Sequence, residues 1–155
     1  MFQTIHLRKL LSSLALTLGT GLFSGFLAGN QGAIYTELNR PPLSLPGAAF
    51  GIVWTVLYIC MGIALYLIRI TPGDHSVAQK VFGLQLFLNF CWSLLFFGLK
   101  WYCFSAIWLG LLLLAVVLTM ILFYRIKPET FWWLLPYLLW CCFALYLNIG
   151  VCVLN

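Results

Sequence analysis

Charged residues divide this chain into five long uncharged intervals, and this distribution limits the possible fold more than any other feature. Charged residues make up 7% of the 155 residues, against about 25% in an ordinary soluble domain. The uncharged intervals are residues 10–36, 41–68, 81–99, 101–124 and 130–155. Each contains an apolar run near the roughly 20 residues that a helix needs to cross the hydrocarbon of a bilayer. Because backbone polar groups in lipid must pair within their own segment, these runs predict helices.

We therefore predict an all-α integral membrane protein, a single five-transmembrane-helix bundle in which residues 1–155 form one domain. The predicted helices cover about 10–29, 47–68, 80–99, 103–124 and 131–152. A mean hydropathy of +1.06 excludes a water-soluble enzyme. The basic residues are scattered without forming a stripe, which excludes a nucleic-acid-binding surface. The lipid bilayer is the expected partner.

The basic residues are distributed unequally between the two sides that five spans would create. Two lie on one side, Arg40 and Lys100. Six lie on the other side with the N-terminus: Arg8, Lys9, Arg69, Lys80, Arg125 and Lys127. The positive-inside rule then predicts a cytoplasmic N-terminus and a C-terminus outside.

The cysteines form no C-x-x-C pair, and all six lie within predicted spans or at their ends. We therefore expect neither a disulfide framework nor a zinc site, and no other metal site. The six residues are interpreted as small apolar side chains. They are Cys60, Cys91, Cys103, Cys141, Cys142 and Cys152.

A polar row follows the third predicted span, at Gln85, Asn89 and Ser93. These positions share one helix face, and polar groups at membrane depth should face the bundle interior or a cavity. Hydrogen bonds between helices and a ligand site explain the row equally well. Apart from Lys80 at the first position of the third span, no Asp, Glu, Lys or Arg lies in a predicted span. Conventional acid–base catalysis is therefore not expected, and no obligatory cofactor is predicted.

Aromatic and amide side chains are predicted to share a layer beneath the first loop, residues 30–46. At about 1.5 Å per residue, Trp54 lies roughly 10 Å and Trp92 about 12 Å below the surface. Tyr58 and Asn89 lie at roughly 16 Å, and Trp140 lies at roughly 15–20 Å. If these side chains face inward, they line a pocket for a large, flat, apolar ligand. Ordinary aromatic packing is the alternative.

The order of motifs along nearly the whole chain resembles the TspO/MBR family, the tryptophan-rich sensory and translocator proteins. W-x-x-x-Y, L-N-x-x-W-S and L-P-Y-x-x-W are specific in combination. The matching positions are Tyr35, Leu38, Arg40, Pro41, Pro46, Gly47, Trp54, Tyr58, Gly62, Leu88, Asn89, Trp92, Ser93, Leu135, Pro136, Tyr137, Trp140, Phe143, Ala144, Leu147 and Asn148.

The resemblance implies a five-helix membrane receptor or sensor, commonly a homodimer, whose cavity under the first loop binds porphyrins such as protoporphyrin IX and haem-related tetrapyrroles. Such a protein would regulate tetrapyrrole metabolism or transport. Carried over by motif, the ligand-binding residues are Tyr35, Trp54, Asn89, Trp92, Trp140 and Ala144. Tyr58 joins them because it belongs to the same layer.

Two other functions remain open under the same resemblance. One is light-dependent porphyrin degradation, in which Trp54 and Trp140 would take part without an acid–base pair. The other is transport of tetrapyrroles or sterols. The sequence departs from the family pattern at Leu43 and Leu45, where bacterial relatives often carry an aromatic residue and a Pro-Pro pair. It also lacks the basic residue of the animal cholesterol motif after Leu147.

Overall fold

A computed structural model describes residues 5–155, which form helices and no strands. The helices are α1 Leu7–Ala28, α2 Gln31–Glu37, α3 Gly47–Ile70, α4 Ser76–Ser93 with a π-helical continuation Leu94–Gly98, α5 Tyr102–Ile126 and α6 Thr130–Leu154. Five of these segments are long and apolar enough to span a membrane. The predicted all-α, five-span membrane fold is confirmed.

The five long helices form a closed ring when viewed along the membrane normal. α1 packs against α3, α3 against α6, α6 against α5, α5 against α4, and α4 against α1. The faces that point into the ring carry buried residues such as Met61 and Leu112, both with no exposed surface. The opposite faces carry exposed large apolar residues such as Phe26, which is typical of a surface that meets lipid.

Close helix packing inside the ring explains several glycines. A Cβ at Gly62 would lie 2.9 Å from Thr17 Oγ1 and 3.1 Å from Leu14 Cα, so α1 and α3 can approach only because this position has no side chain. Thr17 Oγ1 donates a hydrogen bond to the Tyr58 carbonyl across the same contact, at 2.8 Å. At Gly21 a Cβ would overlap the ring of Tyr58. These small residues therefore serve packing between neighbouring helices of one bundle.

The predicted boundaries differ most from the structure at α4. The helix begins at Ser76, four residues before the predicted start, because the Asp74 carboxylate accepts a hydrogen bond from the Ser76 amide at 2.9 Å. That hydrogen bond also holds the pKa of Asp74 below its usual value. At the other end, the π-helical turn brings two consecutive residues, Phe96 and Phe97, into the core. Their ring centroids lie 4.8 Å apart.

Two of the six cysteines form a disulfide, and the prediction that all six act as small apolar residues is wrong for this pair. Cys103 near the start of α5 is bonded to Cys152 near the end of α6, with their Cα atoms 4.8 Å apart. The two positions are 49 residues apart in sequence. They meet because a short connection makes α5 and α6 antiparallel over their whole length. Such a link stabilises a fold mainly by restricting the unfolded chain.

The two ends of the bundle differ in charge. One end, called here the basic end, holds Arg8, Lys9, Arg69, Lys80, Arg125 and Lys127. The other, called the loop end, holds the first loop and the Cys103–Cys152 disulfide. At the basic end, Lys9 Nζ donates to the Arg69 carbonyl at 2.8 Å, and the Arg69 guanidinium donates to Ser13 Oγ at 3.0 Å. These bonds tie α1 to α3.

Candidate ligand-binding site

A cavity of about 460 Å³ lies between α1, α3 and α4, in the half of the bundle nearer the loop end. Four of the predicted ligand-binding residues line it: Trp54, Tyr58, Asn89 and Trp92. Its remaining walls are mainly small or apolar, and none of the lining residues within the described chain is charged. A cavity of this size falls within the range of about 300–1,000 Å³ that small-molecule sites occupy.

Aromatic rings and glycines both line the cavity. The ring of Trp54 lies 5.7 Å from that of Tyr58 and 5.9 Å from that of Trp92, measured between centroids. Gly25 on α1 and Gly51 on α3 supply no side chains to fill the space, whereas the ring of Tyr58 packs directly on Gly21. A cavity lined by aromatic rings and by positions without side chains can accommodate a flat ring system.

A chain of buried hydrogen bonds forms the polar base of the cavity. Tyr58 Oη donates to Asn89 Oδ1 at 2.8 Å, and Asn89 Nδ2 donates to Tyr137 Oη at 2.8 Å. Tyr137 Oη in turn donates to Gln85 Oε1 at 2.9 Å. Gln85 and Asn89 of the polar row therefore join α3, α4 and α6 through hydrogen bonds, which is one of the two explanations offered for the row. Asn89 also faces the cavity, so the two explanations of the row are compatible at this position.

A second polar cluster fixes Trp92 from behind, and sequence reasoning from residue types did not find it. Trp92 Nε1 donates to Asn148 Oδ1 at 2.9 Å. Asn148 Nδ2 donates to the Tyr102 carbonyl at 2.7 Å and contacts Ser105 Oγ at 3.2 Å. Asn148 is fully inside an apolar span. The rule that polar groups at membrane depth face the bundle interior, which was applied to Gln85, therefore applies to Asn148 equally.

The other three predicted ligand-binding residues pack behind the cavity and do not line it. Tyr35 contacts Phe50 with centroids 4.5 Å apart, and Phe50 meets Trp140 edge-on at 5.8 Å. Trp140 also meets the back of the cavity wall, edge-on to Trp54 at 6.3 Å. Ala144 borders a gap of about 10 Å³ beside Tyr35. Within residues 5–155, Tyr35 Oη and Trp140 Nε1 are buried without a hydrogen-bond partner.

The first loop covers the loop end, and it contains a helix, α2, that the sequence analysis did not predict. Gln31 Nε2 at the start of α2 donates to Ser93 Oγ at 2.9 Å, which connects the loop to α4. Farther along the loop, the Pro42 carbonyl accepts a hydrogen bond from Tyr146 Oη at 2.8 Å, which connects the loop to α6. Leu43 is 81% exposed and Leu45 does not line the cavity, so the departures from the family pattern lie outside the site.

The profile of the TspO/MBR family matches residues 13–154. The chain belongs to the TspO/MBR family. The tryptophan-rich protein TspO of Chlorobaculum tepidum is 35% identical, over 96% of this chain and 99% of its own length. The protein of the same name from Archaeoglobus fulgidus is 35% identical, over 97% of this chain and 99% of its own. The human translocator protein is 33% identical, over 88% of this chain and 83% of its own length.

Membership of the TspO/MBR family makes the chain a multi-pass integral membrane protein and supports a membrane sensor or transporter role. Matches at 33–35% identity over most of each chain include both a tryptophan-rich protein TspO and a translocator protein. The resemblance found from the motifs is confirmed. Which ligand the cavity takes is a separate question.

Proposed function

We propose that this protein binds porphyrins and related tetrapyrroles in the cavity between α1, α3 and α4, and that binding lets it sense them and regulate their metabolism or transport. The observation that carries the proposal is that two adjacent indole rings, Trp54 and Trp92, line one cavity of about 460 Å³ together with Gly25 and Gly51. A tetrapyrrole is large, flat and mostly apolar, so stacking on these rings would supply much of its affinity.

The polar groups around the cavity would orient the ligand. Asn89, Ser93 and Gln31 lie on its wall, and each has hydrogen-bonding capacity at its side-chain tip. A small number of placed polar groups in an otherwise apolar pocket is the usual composition of a specific small-molecule site. The lining carries no charged residue, so the propionate carboxylates of protoporphyrin IX would have to lie outside it while the apolar ring system enters.

Titration of protoporphyrin IX into the detergent-purified protein in the dark tests this proposal. We expect saturable binding to one site, weakened roughly three- to tenfold by Trp54→Phe, because a smaller ring keeps part of the stacking surface. Trp132→Phe is the matched control, since Trp132 is 71% exposed on the outer face. Linear uptake that neither variant changes would mean partition into micelles and would reject the proposal.

Light-dependent porphyrin degradation is a second candidate, favoured by the contacts of Trp54 with two other indoles. Its ring lies 5.9 Å from that of Trp92 and 6.3 Å from that of Trp140. Irreversible loss of porphyrin absorbance under light and oxygen, abolished by Trp54→Phe at saturating porphyrin, would support it. A transporter would instead move porphyrin across sealed vesicles in the dark.

We also propose that the basic end faces the cytoplasm. The six basic residues there outnumber the two at the loop end, and disulfides persist mainly in oxidising compartments outside the cytosol. In intact cells, an impermeant reductant followed by an impermeant maleimide is expected to label the chain, and Cys103→Ser with Cys152→Ser should remove the labelling. Labelling only after the membrane is opened would place the loop end inside.

A further inference from the structure

A second apolar depression lies on the lipid-facing surface at the basic end. It is separate from the cavity between α1, α3 and α4, which is called here the porphyrin cavity. The second depression is called here the α5–α6 groove and has a volume of about 750 Å³. Val117, Ile121 and Tyr124 form its wall on α5, and Trp132 and Leu138 contribute from α6. These residues are well separated from the α1, α3 and α4 residues around the porphyrin cavity.

The groove has the dimensions of one lipid chain in one leaflet. From Val117 to Arg125 it follows two turns of α5, which corresponds to about 12 Å along the helix axis. Half of a hydrocarbon core of roughly 30 Å is about 15 Å. Tyr124 and Trp132 are 53% and 71% exposed at the end of the groove, where aromatic side chains meet the headgroup region.

The charge at the mouth of the groove is positive. Arg125 lines the mouth and has no ion-pair partner within residues 5–155. Glu129 also lines the mouth, but its carboxylate lies 3.8 Å from Lys127 Nζ, so its charge is largely balanced. α6 begins at Thr130, so the positive end of that helix dipole adds to the same potential.

We propose that the α5–α6 groove is a binding site for one anionic phospholipid. An acyl chain occupies the apolar groove between α5 and α6, with its end between Val117 and Leu138, and the phosphate pairs with the Arg125 guanidinium, whose planar fork matches phosphate oxygens. Anionic lipids are concentrated in the cytoplasmic leaflet, which is where the proposed orientation puts this end. The proposal does not depend on the ligand of the other cavity.

Native mass spectrometry of the full chain in detergent, titrated with phosphatidylglycerol or phosphatidylcholine of identical acyl chains, tests the site. We expect one phosphatidylglycerol to be retained in preference to phosphatidylcholine. Arg125→Gln should reduce the affinity for phosphatidylglycerol about fivefold, the effect of losing one basic group near an anionic headgroup. Arg125→Lys, which keeps the charge, should retain most of the preference.

Two matched variants make the result specific to the groove. Arg8→Gln removes another exposed basic residue of the basic end, on α1, and should leave the preference unchanged. Ile121→Trp fills the groove and should lower the retention of both phospholipids. The proposal is overturned if wild type shows no preference for phosphatidylglycerol, or if Arg8→Gln weakens binding as much as Arg125→Gln. Competition with a neutral sterol gives a third outcome. The proposal is also overturned if the sterol displaces the phospholipid equally well from the Arg125→Gln variant and from wild type.

Discussion

Replacing Gly51 by leucine is expected to weaken protoporphyrin IX binding roughly tenfold or more while leaving the bundle folded. Gly51 lines the cavity, and a Cβ built there meets no atom within 4 Å. The leucine side chain would therefore enter the cavity without disturbing its neighbours, and it would take the space of the ligand. Leucine also favours a helix over glycine by about 0.8–1 kcal/mol, so α3 should not be weakened. Porphyrin absorbance titrations in the dark would measure the affinity.

Gly110→Leu is the matched control for this substitution. Gly110 lies inside α5, which contributes no residue to the cavity, and a Cβ there also meets nothing within 4 Å. The same change of residue type in the same kind of position should leave porphyrin affinity as it is. Equal affinities of wild type and Gly51→Leu would show that the porphyrin binds elsewhere.

Asn148→Leu is expected to give the largest loss of stability among the polar substitutions. It leaves Trp92 Nε1 without its hydrogen-bond acceptor and removes the contact with Ser105. The Tyr102 carbonyl loses one of its two side-chain donors and keeps the other, Ser105 Oγ. A buried polar group left unpaired costs about 1–3 kcal/mol, and interhelical hydrogen bonds in membranes contribute about 0.6 kcal/mol on average. We expect a total loss of about 2–4 kcal/mol, seen as a fall of roughly 5–15 °C in the apparent Tm.

Two comparisons separate this effect from a general intolerance of substitution. Ser105→Ala removes one member of the cluster and should cost about 1 kcal/mol. Asn39→Leu makes the same change at an exposed position of the first loop and should shift the Tm by less than about 2 °C. A Tm for Asn148→Leu within the same small range would mean that the cluster does not hold Trp92 in place.

The spans could be predicted from the sequence because charge exclusion from lipid acts on every residue of a segment. The features that could not be predicted depend on tertiary contacts. Cys103 and Cys152 become neighbours only once α5 and α6 are antiparallel, and no local spacing indicates that. Helix α2 is short, and its loop rests on α4 and α6 through Gln31 and Tyr146, contacts invisible in the local pattern.

For the site, the sequence predicts how deep the residues lie in the membrane but not the direction in which their side chains point. Counting residues along each span places Trp54, Tyr58, Asn89 and Trp92 at similar depths, and the structure brings these four together around one cavity. Depth alone does not say toward which neighbour a side chain points. Trp140 has a suitable depth but lies on α6, behind Trp54, and contacts the cavity wall from outside.

Brief illumination of the porphyrin-loaded protein in air shows whether a tetrapyrrole lies against Trp54 and Trp92. An excited porphyrin sensitises oxygen, which oxidises the indoles nearest to it, and mass spectrometry can map the oxidised tryptophans. We predict that Trp54 and Trp92 are oxidised first, although Trp92 is only 4% exposed. Oxidation that instead begins at Trp132 and Trp101, which are 71% and 54% exposed, would mean that the porphyrin does not bind in this cavity.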